Sequence, residues 1–185
     1  MRMGVQFKNV GIWVALFILL TTSINAQHTV RPLSISEVES WMKTRIETHK
    51  LEREYRANAE KYDSVVDAYF KARDEYLVNN GWDVQEFKDI ESAIYDTIGG
   101  IDEQESIDEE KKELQSEVDA VNKNEYLTAE QKKEIVAGMY KVFEIRQETV
   151  DATKHNWQAV KPYREKIQIL NDWMAGNIPD PPTIE

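Results

Sequence analysis

Three histidines, no cysteine and a surplus of carboxylates bound the chemistry open to this chain. His28 lies ahead of the first helical pattern, and His49 falls on a charged stretch. His155 follows Asp151 by four residues, which places the two on one face of a helix. An Asp-His pair at that spacing can hold a metal or shuttle a proton; the same spacing also describes a surface ion pair, or a helix-end histidine that meets the macrodipole. Bundle di-iron sites need paired Glu-x-x-His motifs, and the sequence contains none. A haem held between His155 and Met42, Met139 or Met174 is the other metal chemistry on paper, although methionines at helical spacing more often fill a core.

The remaining patterns offer less. The acidic run from Asp102 to Glu110 has no glycine inside it and lacks the alternating ligands of a calcium loop, so it reads as a solvated helix start. Without cysteine there is no thiol nucleophile, disulfide, Cys-ligated zinc or covalent haem. Neither Gly-x-Ser-x-Gly nor a phosphate-cradling glycine loop is present. No catalytic residue, metal or cofactor is therefore expected. The first functional reading is a non-enzymatic binding or chaperone-like protein; the alternatives are a small metal or haem carrier or enzyme built on His155, and a structural subunit that self-associates.

The elements that must position these residues are helical, and no stretch alternates long enough to make a strand. Ser34-Ile35-Ser36-Glu37 has capping-box spacing, and from there no glycine or proline appears before Gly81. Trp41, Thr48, Tyr55, Tyr62, Tyr69 and Tyr76 recur every seven residues along this stretch. Trp41, Tyr55, Tyr62, Tyr69 and Tyr76 thus form a candidate interaction face for a protein partner, although such a column is more often a seam buried in the fold. A single helix from Ile35 to Asn79 would be about 65 Å long, against a diameter of roughly 40 Å for a compact domain of this size. Either the protein is elongated or the helix bends, with Arg56 to Lys61 as its weak point.

Asn79-Asn80-Gly81 is a stop signal, and Asp83 to Glu86 caps a second helix that Gly99-Gly100 is expected to end. A third helix is expected from about Asp102 to Asn122. Thr128 to Gln131 caps a fourth that runs to about Lys154, with Ile135, Val136, Met139, Val142, Phe143, Arg146 and Val150 as a broad apolar stripe with one basic edge. Gly138 inside it suggests a close helix crossing. The last helix covers about Trp157 to Ala175, with Pro162 near its start. These segments predict an all-α, elongated bundle of about five helices with a long amphipathic N-terminal helix, spanning residues 34–176 as one domain.

The first twenty-six residues have the layout of a secretory signal peptide: Arg2 and Lys8, an apolar run from Val10 to Leu20, and a small-residue exit that places cleavage between Ala26 and Gln27. The apolar run is about half the roughly 20 residues that a membrane span requires. An exported product, periplasmic or secreted, with no stable membrane anchor after cleavage, is the expectation. Residues 27–33 are expected to be mobile and residues 177–185 to form a proline-rich flexible tail. The full chain carries −11, and Arg2 and Lys8 are the only charges in the leader, so cleavage leaves −13 on 159 residues. Such a charge argues against nucleic acid and anionic lipid as partners. It leaves protein partners, or a second copy of the chain paired through the long helix.

Two resemblances accompany this reading. Leu127-Thr128-Ala129-Glu130-Gln131 resembles the Leu-Thr-x-x-Gln motif of small helical periplasmic chaperones, which carry it twice where this chain carries it once. The order Asn80-Gly81-Trp82 with Glu86-Phe87, then Leu127 to Gln131, then Asn156 to Tyr163 and Leu170, resembles an uncharacterised class of exported helical bacterial proteins. That resemblance spans about Arg73 to Trp173 and implies a helical fold and export, with no activity attached.

Overall fold

The computed structural model describes residues 30–184, so the cleavage junction at Ala26 and Gln27 lies outside the described residues. Among the described residues there are five helices longer than one turn and no strand. They are α1 (Ile35–Ala57), α2 (Val65–Asn79), α3 (Val84–Lys123), α4 (Ala129–Asp151) and α5 (Arg164–Met174). The chain is an all-α helical bundle.

α1 starts at the capping box: the Glu37 amide donates to Ser34 Oγ at 3.2 Å, and the Ser34 amide donates to the Glu37 carboxylate at 2.7 Å. The stretch from Ile35 to Asn79 does not form one rod. α1 gives way at Asn58, a short 3-10 turn spans Ala59–Lys61, and α2 begins where Ser64 Oγ accepts from the Asp67 amide. The chain then doubles back, so that α2 runs antiparallel to α1 and the Trp82 indole donates to Thr44 Oγ1 at 3.0 Å. Folding back lets Leu77 and Tyr69 leave water, which a straight helix overhanging the core would not.

Gly81, at φ +82°, ends α2 with the paired bonds of a Schellman motif: Gly81 to the Val78 carbonyl at 3.1 Å and Trp82 to the Leu77 carbonyl at 2.9 Å. Asp83 then accepts from the amides of Gln85 and Glu86 and starts α3. The expected stop at Gly99-Gly100 does not occur. α3 runs through both glycines for 40 residues, joining the two helices expected on either side. Each glycine costs about 1 kcal/mol of helix propensity, and the buried Ile94, Ile101 and Ile107 around them offset that by about 1.5–3 kcal/mol apiece.

The last helical region is also divided differently. α4 ends at Asp151 with Ala152 as its cap, a 3-10 turn at Lys154–Asn156 leads into the single turn Trp157–Val160, and Pro162 sits in a second 3-10 turn before α5. Lacking an amide hydrogen, Pro162 cannot continue the α-helical hydrogen-bond ladder, and the chain passes it as a 3-10 turn.

One core gathers Trp41, Met42 and Ile46 of α1, Leu77 of α2, Phe87, Ile90 and Ile94 of α3, Val160, and Ile167, Leu170 and Trp173 of α5. A smaller one joins Ile107 of α3 to Phe143 and Val150 of α4, and Trp157 packs against both. α1 and α3 are antiparallel, with Arg45 near Glu91 at 3.5 Å and Trp41 edge-on to Tyr95 at 5.8 Å. In consequence the α1–α2 turn and the α3–α4 hairpin lie at opposite ends of the core.

Both ends of the described residues are more closely held than their composition suggests; of the expected mobile segment 27–33, residues 27–29 lie outside the described residues. Asn156 is fully buried; its Nδ2 donates to the Arg31 carbonyl and its Oδ1 accepts from the Leu33 amide, each at 2.8 Å. Val30 is buried, and Arg31 pairs with Glu37 and Glu86 at 2.9 Å. Residues 30–33 are therefore a fastened strap. At the other end Ile178 and Ile184 pack on the core, so the tail lies against the bundle.

Candidate interaction surface

His49 and His155 do not converge on a site, and His28 lies outside the described residues. His155 is exposed, and its Nε2 lies 3.0 Å from the Val30 carbonyl, holding the strap. Asp151 pairs instead with Lys154 at 2.7 Å and accepts from Gln147 at 3.1 Å. His49 is buried edge-on to Trp173, 4.8 Å between ring centroids, with Nδ1 3.3 Å from Glu52; burial pushes its pKa below the ordinary histidine value. Met42 is core filler beside Trp41. Among the described residues, no three histidine or carboxylate side chains gather as a metal would require.

The acidic run at Asp102–Glu110 is largely answered by two arginines. Arg164 of α5 reaches Asp102 at 2.6 Å and Glu105 at 2.6 and 2.9 Å, which holds the Glu105 carboxyl below its usual range. Arg146 of α4 bonds Glu110 at 2.7 and 2.9 Å, Ser106 at 3.2 Å and also Glu103; these bonds lower the Glu110 pKa and raise that of the guanidinium. A cleft of about 450 Å³ opens between α3 and α5 over Ile98 and Ile167. Two of its polar groups are already engaged, the Tyr95 hydroxyl donating to Asn171 at 2.8 Å and Arg164 held as above.

The aromatic column does not form one face. Trp41 is fully buried and Tyr69 is 9% exposed, while Tyr55, Tyr62 and Tyr76 are half-buried. Because the chain reverses between Tyr55 and Tyr62, those two rings stack across the turn at 4.9 Å instead of lying in a row. Burial raises the Tyr69 and Tyr76 pKa values, as expected of hydroxyls at the rim of a helix seam.

An unpartnered apolar row stands elsewhere, on α4. Phe143 and Val150 turn toward α3, with Tyr140 beside them. On the flank of the same helix, Ile135, Val142 and Ile145 are 38%, 55% and 69% exposed at spacings of seven and three. The stripe legible in the sequence was too broad for one neighbour: its inner half covers α3 and its outer half faces solvent. Ile145 belongs to that outer half and falls outside the residues picked from periodicity. Gly138 lies within the row with open space where a side chain would stand, so no helix crosses there. At the turn of the hairpin Tyr126 is 96% exposed. On α2, Val66, Phe70 and Val78 are also exposed, with the Arg73 guanidinium 4.7 Å over the Phe70 ring.

The fold thus defines a helical bundle that presents apolar side chains on a projecting two-helix arm. Comparison with family models, with curated proteins and with solved structures finds no match to this chain.

Proposed function

We propose that this protein is an exported, non-enzymatic binding protein of a bacterial envelope, chaperone-like in action, which holds apolar segments of other polypeptides on the α3–α4 arm. The observation that carries this reading is the solvent-facing row Ile135, Val142 and Ile145 on a helix whose other face is already packed. Export rests on the leader layout of residues 1–26. No helix among the described residues is long and apolar enough to cross a membrane.

Magnitudes set the character of the binding. Covering an isoleucine or valine completely yields about 1.5–3 kcal/mol, and association alone costs at least about 4 kcal/mol. Three partly exposed side chains therefore support weak, exchanging contacts, which suits transient protection of unfolded chains better than a permanent complex.

The test is suppression of aggregation. An unfolding client protein should scatter less light in the presence of the purified protein, and Val142→Asp with Ile145→Asp should abolish the protection while leaving the melting temperature unchanged. Equal protection by the variant, or none by the wild type, removes the reading.

A further inference from the structure

We infer that the arm selects for charge as well as apolarity, and that its occupant is a cationic amphipathic segment of another polypeptide. The inference rests on the α4 row being a binding surface and names what it binds. Arg146 fixes which side of α3 borders the row: it stands one turn after Val142 on α4 and reaches Glu103, Ser106 and Glu110 on α3. Glu117 continues that α3 column one heptad beyond Glu110, and Glu113 stands one turn beyond Glu110 on the same side.

Glu103 and Glu110 are neutralised by Arg146, whereas Glu113 and Glu117 are exposed and meet no cation within ion-pair distance among the described residues. Across the row, Glu134 and Glu148 are exposed on α4 with Lys141 between them. The two helices run antiparallel, so Glu117 and Glu113 lie beside the stretch from Ile135 to Val142. The apolar row is bordered by carboxylates on both sides, on a chain whose net charge is −11. A helix with apolar residues at matching spacing and lysines or arginines on its shoulders would bury the row and answer those carboxylates together. An acidic segment would meet like charge on both edges.

The probe is a pair of fluorescent amphipathic peptides with identical apolar residues, one carrying lysines and the other glutamates on the polar face, read by anisotropy against the whole protein. The lysine peptide should bind about tenfold tighter than the glutamate peptide, and this preference should shrink with added salt. Glu113→Lys with Glu117→Lys should cancel the preference, while Val142→Asp with Ile145→Asp should weaken both peptides. Equal binding of the two peptides that the double lysine variant leaves unchanged would overturn the charge inference and leave the apolar surface standing. Binding of neither peptide would overturn both, and so would a concentration-dependent dimer in sedimentation that Ile145→Asp disperses, since a second copy would then own the face.

Discussion

Gly100 of α3 lies against the side chain of Thr153, so closely that a Cβ built on the glycine would meet Thr153 Oγ1 at 2.1 Å. Thr153 cannot swing aside easily, because its hydroxyl donates to the Val150 carbonyl at 2.8 Å and accepts from the Trp157 indole at 3.1 Å. This contact sets how near the end of α4 comes to α3. Gly100→Ala should cost about 1–3 kcal/mol of overpacking, more than the roughly 1 kcal/mol that alanine returns in helix propensity. Gly99→Ala and Gly138→Ala meet nothing within 4 Å and should each raise stability by up to about 1 kcal/mol. Urea unfolding of the three variants would show the opposite signs.

The buried amide of Asn156 makes two of the bonds that hold the strap at residues 30–33. Asn156→Ala removes the bonds to Arg31 and Leu33 and should cost about 2 kcal/mol. Asn156→Asp keeps an acceptor for Leu33 but turns a second acceptor toward the Arg31 carbonyl, so it should not restore the wild type. Hydrogen exchange at the Leu33 amide reports the loss directly; unchanged protection there would contradict the role given to Asn156.

Arg146 ties the arm together without contributing to the main core. Arg146→Met should speed hydrogen exchange along α4 while exchange at Ile90 and Ile94 stays as in the wild type. High salt should act in the same direction, since the pairs to Glu103 and Glu110 are partly exposed.

His49 predicts a pH dependence. Burial lowers its folded-state pKa below the ordinary 6.5, with Arg45 and Arg53 adding to the effect and Glu52 opposing it. The unfolded chain then binds the proton more readily, so stability rises with pH in this range. The contribution is whole above about pH 6.5 and is lost as the pH falls through the interval below it. Melting temperature should decline between about pH 7 and pH 5, and His49→Gln should flatten that slope. Glu37 and Glu52, whose pKa values are lowered, should lose their contributions only below 4.5.

The aromatic column separates into core and surface positions. Trp41→Ala should cost about 3–5 kcal/mol, as for other fully buried aromatics. Tyr55→Ala and Tyr62→Ala remove only a stacked pair at a turn and should cost about 1 kcal/mol. Chemical denaturation distinguishes them, and equal losses would mean that the turn is part of the cooperative core.

Helix starts were the most legible features of the chain, because Ser34, Asp83 and Thr128 satisfy orphaned amides with side chains three residues or fewer away, a purely local interaction. The stop at Gly81 was legible for the same reason: it adopts a positive φ that other residues resist. Gly99-Gly100 looked alike in sequence and behaves otherwise. Whether a glycine ends a helix or makes room for a neighbour depends on what lies against it, and Thr153 is more than fifty positions away.

The interaction surface was legible only in part. Periodicity identified Ile135 and Val142 as apolar positions on a helix, but it could not say which would be covered, since a helix has no inside until another element packs on it. In the same way the heptad of tyrosines was evident, while the reversal at residues 58–64 that buries Tyr69 and pairs Tyr55 with Tyr62 arises from α2 packing along α1. By itself the sequence determined an all-helical chain, its caps and its acidic character, all consequences of short-range bonding and composition. The tertiary structure decided where the chain folds back, that Asn156 fastens the strap, and that the open apolar row lies on α4, because burial is a property of pairs of elements and no single element carries it.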